Sequence, residues 1–142
     1  MLRDRGGTRK DRGICLREST WRHQAGNIPE MNPHLRVHPV YATKEFIPDY
    51  KREALTRVRL MSHNLRIEVG RWSRTPAEQR VCQCDGAQVQ TEQHALIHCP
   101  LTARLRDDYP QLSYVNIQAL FSEETYLEEL CNYVYAMLET FN

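Results

Sequence analysis

The spacing of hydrophobic positions changes along the chain, and the changes divide it. Up to about residue 40 the apolar side chains are isolated and follow neither a helical nor a strand period. Gly6, Gly7, Gly13, Gly26, Pro29, Pro33 and Pro39 interrupt them. Such a stretch buries too little apolar surface to offset the entropy of ordering it, which predicts a disordered basic arm over residues 1–48. Within it, Val37, Val40, Tyr41, Phe46 and Ile47 offer an extended strap able to lie against a folded body. From Asp49 the spacing turns helical. Leu55, Val58, Met61 and Leu65 recur at steps of three and four and so share one face. Asp49 is placed to cap the helix and Gly70 to stop it, so the pattern predicts helix from residue 49 to residue 70. Arg52, Arg59 and Arg66 repeat every seven residues along another stripe.

Arg71 to Glu78, with Pro76, reads as a loop. Thr91 to Cys99 reads as a short helix. Pro100 cannot continue its hydrogen bonds but suits the first turn of a second helix, running to Asp108 and ended by Tyr109-Pro110. Asn116 to Phe121 is a further short helix. Ser122 is then expected to cap a longer one, with Glu123 and Glu124 where the helix dipole favours negative charge. Leu127, Leu130, Cys131, Val134, Met137, Leu138 and Phe141 form an unbroken apolar stripe on it. Cys131 is expected to be a buried thiol of that core. The fold expected is mainly α: a small helical domain over residues 49–142 with a zinc knuckle inserted at 80–100, preceded by the disordered N-terminal arm.

The candidate chemistry lies in residues 82–99. Three of the five cysteines, Cys82, Cys84 and Cys99, fall in this stretch with His94, in the spacing C-x-C-x9-H-x4-C. Zinc takes four thiolate or imidazole ligands in a tetrahedron. Cys82 and Cys84 supply two corners from a turn made by Asp85-Gly86, where Gly tolerates positive φ. His94 and Cys99 stand at the two ends of the short helix and supply the others. His98, one α-helical turn after His94, is the alternative to Cys99 as fourth ligand. The cysteines can also be read as small buried residues. Against that, Gln83, Asp85, Gln88, Gln90, Thr91, Glu92 and Gln93 make this stretch too polar to hold a shape without a staple.

Composition narrows the setting. The chain has 142 residues, 41% of them apolar, enough for one small domain and a tail. No apolar run approaches the ~20 residues needed to cross a bilayer, so no membrane role is expected. The odd cysteine count and the lack of a secretory-type leader point to a reducing intracellular compartment, nuclear or cytoplasmic. The net charge of +1 hides an asymmetry: arginines crowd the first half and carboxylates the last third. Segregated sign suits either a face for nucleic acid or two halves that pair with each other.

Leu55-Thr56-Arg57-Val58-Arg59-Leu60, Ser62-His63, Leu65-Arg66-Ile67-Glu68 and Gly70-Arg71-Trp72 form one recognisable block. Arg80-Val81-Cys82-Gln83-Cys84 and Gln90-Thr91-Glu92-Gln93-His94 through Cys99-Pro100-Leu101 form a second, and Leu120-Phe121 with Leu130-Cys131-Asn132-Tyr133-Val134 a third. Together, over about residues 50–142, they resemble the C-terminal region of reverse transcriptases encoded by non-LTR (LINE-type) retrotransposons. There a helix with an R-L-R core precedes a knuckle ending in H-x4-C-P. The polymerase is absent: no Tyr-x-Asp-Asp motif occurs, and Asp107-Asp108 is a helix-end pair. The resemblance therefore implies a detached C-terminal fragment without catalysis. It carries over only a role in nucleic-acid binding, onto Cys82, Cys84, His94 and Cys99.

Three functions follow from these readings. The first is a zinc-stapled module in which Arg52, Arg57, Arg59, Arg66, Arg71 and Arg74 neutralise the phosphates of RNA or single-stranded DNA. Trp72 could stack on an unpaired base, although a tryptophan here is expected to pack in the core or on the knuckle. The second is a structural or protein-interaction module, its basic stripe consumed by the acidic C-terminal helix. The third, a zinc hydrolase, is disfavoured, because four ligands leave no open position and Glu92 is the only carboxylate close in sequence on the helix side.

Overall fold

The computed structural model describes residues 36–142, and they are mainly helical. Five α-helices follow in order: α1 (Asp49–Arg59), α2 (Arg66–Trp72), α3 (Ala103–Asp108), α4 (Ile117–Phe121) and α5 (Leu127–Thr140). Short 3-10 turns lie at Pro39–Tyr41, Ala77–Gln79 and Pro100–Thr102, and a π-helical turn at His94–His98. Among the described residues there is no strand; one isolated antiparallel bridge joins Val81 to Val89. No helix of the described residues is long and apolar enough to cross a membrane.

The core forms where α1 packs against α5. Leu55 and Val58 of α1 join Leu130, Cys131, Val134 and Met137 of α5, all buried, with Leu96 and Leu120 closing the cluster. Cys131 is thus the buried thiol its position on the stripe predicts, and burial pushes its pKa up to about 11.

The first 35 residues of the expected disordered arm lie outside the described residues. Residues 36–48 correct that expectation, for they pack as the strap. Val40 and Ile47 are buried in the core cluster, while Val37 and Phe46 point outward. His38 is buried too. Its Nδ1 accepts from the Val40 amide at 3.2 Å and its Nε2 donates to the Phe121 carbonyl at 3.1 Å. Isolated apolar residues suffice here because they enter a core that other elements build.

The single helix expected over 49–70 is two helices. α1 stops at Arg59, and Met61 takes the left-handed conformation at φ 54°. The Ser62 amide then donates to the Arg57 carbonyl at 2.8 Å and the Met61 amide to the Val58 carbonyl at 3.2 Å. That pair of bonds is a Schellman ending, usually built on glycine. α2 ends the same way on Arg74, φ 56°, with Thr75 N–H to Gly70 O at 2.9 Å and Arg74 N–H to Arg71 O at 3.2 Å. Gly70 therefore does not stop a helix; it lies inside α2. A Cβ there would come within 2.6 Å of Arg80 Cδ, so glycine is needed for space. Ser122 does not cap α5 either. Its hydroxyl donates back to the Gln118 carbonyl at 2.7 Å. The entry to α5 is instead held by Glu123, which accepts from the Thr125 and Tyr126 amides at 2.7 and 3.0 Å.

Candidate metal centre

The short bridge between Val81 and Val89 closes a tight loop. The Cys82 amide donates to the Gln88 carbonyl at 2.6 Å, the Gln90 amide to the Arg80 carbonyl at 2.8 Å, and the Gly86 amide to the Cys82 carbonyl at 2.9 Å. Asp85 tightens the bend by accepting from the Ala87 and Gln88 amides at 3.0 and 3.1 Å, and these bonds hold its pKa below the usual value. Gly86 sits at φ 67°, the left-handed region the Asp-Gly pair predicts. The loop thus directs Cys82 and Cys84 to the same side.

The facing wall is the π-helical turn. Thr91 starts it, its Oγ1 accepting from the His94 amide at 3.0 Å. The Cys99 amide then donates to the His94 carbonyl at 2.7 Å, a bond between residues five apart. In an α-helix such residues point about 140° apart. The wider π turn brings them over one another, so His94 and Cys99 face one pocket while His98 is exposed. Thr102 and Arg106 fix the far end: Thr102 Oγ1 donates to the Ala95 and Cys99 carbonyls at 2.7 and 3.1 Å, and Arg106 Nη2 to the Cys99 carbonyl at 2.9 Å.

The ligand atoms of Cys82, Cys84, His94 and Cys99 all lie within 4.8 Å of one another. Cys82 Sγ is 3.7 Å from Cys99 Sγ, and Cys84 Sγ is 3.3 Å from His94 Nε2. An ion with sulfur bonds of about 2.3 Å and nitrogen bonds of about 2.0 Å, at tetrahedral angles, sets edges of about 3.8 and 3.5 Å. Those two edges match a four-ligand metal site, and the whole group could hold an ion. Cys82, His94 and Cys99 are buried, and Cys84 is half-buried.

Electrostatics points the same way. Desolvation, then the neighbouring thiols Cys82 and Cys99, push the Cys84 pKa up to about 12. Burial raises Cys99 as well, opposed by a hydrogen bond from the Leu101 amide. Burial lowers His94 and keeps its imidazole neutral, the form that binds metal. Cys84 and Cys99 therefore resist ionisation until a cation shares the pocket, so loading it would release protons. His94 Nδ1 is buried without a hydrogen-bond partner among the described residues, so the bond that ordinarily orients a ligating imidazole is not made there.

Two supports of the site have no signature in the sequence. Gln90, buried, offers its side-chain Oε1 to the Arg66 amide at 2.7 Å and its carbonyl to the Ile67 amide at 3.3 Å, while its Nε2 lies 3.6 Å from Cys82 Sγ. The knuckle thereby caps α2. His63 and Glu92 meet with fully buried side chains, Nε2 to Oε1 at 3.0 Å, and His63 Nδ1 accepts from the Leu65 amide at 3.3 Å. Glu92 is thus tied to His63 and is not one of the four clustered ligand residues.

The six arginines proposed for phosphates are scattered in role. Arg57 pairs with Glu53 at 2.7 Å and Arg71 with Glu68 at 2.9 Å. Arg52 donates to the Ile47 and Glu45 carbonyls at 3.1 and 3.2 Å, and Arg66 to the Val81 carbonyl at 3.2 Å. Arg59 Nε is buried and unpartnered among the described residues, and Arg74 is exposed. None of Arg52, Arg59 and Arg66 forms an ion pair with a carboxylate of the described residues, so the acidic C-terminal helix does not consume this stripe. Trp72 departs furthest from expectation: it is 88% exposed rather than packed in the core or on the knuckle.

No family model, curated protein or solved structure matches this chain.

Proposed function

We propose that the chain is a zinc-stapled helical module that binds nucleic acid and corresponds to the C-terminal region of a retrotransposon reverse-transcriptase-like protein. The observation that carries the zinc reading is the convergence of three thiols and one imidazole within 4.8 Å. Tetrahedral sulfur and nitrogen ligands favour zinc among the common divalent ions. Four protein ligands close the coordination shell, which is the arrangement of a structural rather than a catalytic ion. The nucleic-acid reading draws on Arg66 and Arg74, exposed and not neutralised by carboxylates of the described residues.

A second reading, a zinc-stabilised interaction or structural module, draws on Arg57 and Arg71, whose charges are already answered by Glu53 and Glu68. Elemental analysis and oligonucleotide titration test both. One zinc ion per chain is expected, lost in a Cys82→Ser, Cys99→Ser double variant. Binding to RNA or single-stranded DNA should weaken steeply with salt. Unchanged metal content in the double variant would overturn the zinc site. Absent or salt-independent binding would select the second reading.

A further inference from the structure

α2 carries a surface that the metal site does not explain. Its outward positions are Arg66, Val69, Arg71 and Trp72, followed by exposed Ser73 and Arg74, while Glu68 and Gly70 face inward. Arg66, Val69 and Trp72 follow one another at steps of three and so line one side of the helix. At 88% exposure the Trp72 ring has almost no protein against it. The one acidic side chain of α2, Glu68, is 4% exposed and held by Arg71 through both oxygens, at 3.0 and 2.9 Å. Arg66 and Arg74 remain as exposed charges without a carboxylate partner among the described residues. The Arg66 contact with the Val81 carbonyl orients that guanidinium without neutralising it.

Arg74 adds an independent observation. It occupies the left-handed position of the Schellman ending at φ 56°, where glycine is favoured and a side chain costs stability. The turn thus sets a cation directly beyond Trp72, at a position that at the end of α1 is taken by Met61.

We propose that α2 and its C-terminal turn form a stacking platform for single-stranded nucleic acid. The Trp72 indole receives one unpaired base, and Arg66 and Arg74 meet the flanking phosphates. This rests on the nucleic-acid reading given above. The surface matches such a strand in charge and chemistry, joining an open π-face to uncompensated cations. The exposed large apolar side chains of α2 are Val69 and Trp72 alone, and cations stand on either side of them.

The test is fluorescence anisotropy of the full zinc-loaded chain with a labelled single-stranded oligonucleotide, as uridine and as thymidine homopolymer, over a series of salt concentrations. Trp72→Ala is expected to weaken binding about 5- to 150-fold with an unchanged salt slope, since stacking releases no counterions. Trp72→Tyr should restore most of the loss. Arg74→Gly should lower the salt slope by about 0.7, the share of one phosphate contact on a single strand, while raising the melting temperature. That opposite pair of effects separates lost contact from lost fold. Wild-type affinity in Trp72→Ala would overturn the platform and leave nucleic-acid binding standing. No binding by the wild-type chain would overturn both.

Discussion

The α1–α5 half of the molecule and the segment from Arg80 to Cys99 are held by different physics. In the first, Leu55, Val58, Leu130, Val134 and Met137 are buried against one another, and stability scales with the apolar area removed from water. In the second, the buried residues include Arg80, Cys82, Gln90, Glu92, His94 and Cys99. A polar group taken out of water costs stability unless it finds a partner. The segment therefore exists only as a nearly closed set of pairings: Arg80 with the Thr75 and Ile67 carbonyls, Gln90 with α2, Glu92 with His63, and the thiols with one another. The π-helical turn is the shared wall. Its Ala95, Leu96 and Ile97 enter the apolar core, and Tyr133 of α5 donates to the Leu96 carbonyl, while His94 and Cys99 face the opposite way. An apolar core tolerates loss of one contact by degrees. A closed polar set loses its geometry when one member is removed.

The largest test of that contrast is metal removal. On the zinc reading, structural zinc contributes about 10–16 kcal/mol in small zinc-binding peptides, comparable with or above the whole stability of a typical domain. Treating zinc-loaded protein with a strong chelator at pH 7 should make the amides of residues 81–99 exchange rapidly, while those of α5 between Leu130 and Leu138 keep most of their protection. Hydrogen exchange read by mass spectrometry resolves the two segments. Equal loss in both would show that they form one cooperative unit. Full protection of 81–99 without metal would show that hydrogen bonds alone close the polar set.

What the sequence made legible divides along the same line. The α5 stripe could be read because apolar burial leaves a period. The gathering of Cys82, Cys84, His94 and Cys99 could be read because thiols seldom cluster without a reason. The supports of that cluster are long-range polar pairings, and these leave no period: Gln90 caps a helix that begins 24 residues earlier, and His63 meets Glu92 across 29. The end of α1 was hidden because its left-handed residue is Met61, where a reader looks for glycine or asparagine. Gly70 misled for the converse reason. A glycine in a sequence does not say whether it supplies a dihedral angle or an empty space. The choice between His98 and Cys99 turned on a π turn, and propensity does not distinguish that from an α-helix.

Gly70→Ala sharpens the contrast at the junction of the two regions. Inside α2 alanine would gain about 1 kcal/mol over glycine from helix propensity alone. Here its Cβ would meet Arg80 Cγ, Cδ and Nε at 2.6–2.7 Å. Arg80 cannot swing aside freely, because its Nε donates to the Thr75 carbonyl at 2.9 Å and its Nη1 to the Ile67 carbonyl at 2.8 Å. The clash and the lost bonds outweigh the propensity, giving a net destabilisation of about 2–3 kcal/mol. Urea unfolding measures the sign. A stabilised Gly70→Ala protein would mean that Arg80 is free to move and that the polar set is looser than its bonds suggest.

The smallest effect belongs to the apolar half, and its sign follows from linkage. Burial, then the charge of Arg59, lower the pKa of His38 to about 4, against a raising hydrogen bond to the Phe121 carbonyl. In the unfolded chain the same imidazole titrates near its ordinary value of about 6.5. Between these values the unfolded state binds a proton that the native state refuses, so stability is complete above about pH 6.5 and falls as pH drops toward 4. The slope is at most about 1.4 kcal/mol per pH unit. His38→Gln removes the titration while keeping a polar side chain between the Val40 amide and the Phe121 carbonyl. Comparing urea unfolding at pH 7 and pH 5, wild-type protein should lose about 1–2 kcal/mol more than the variant, and zinc content at pH 7 should be the same in both. Protonation of the cluster's ligands weakens both proteins alike and cancels in that difference. Equal losses would place the acid sensitivity wholly in the polar segment and leave the strap's histidine without a part in it.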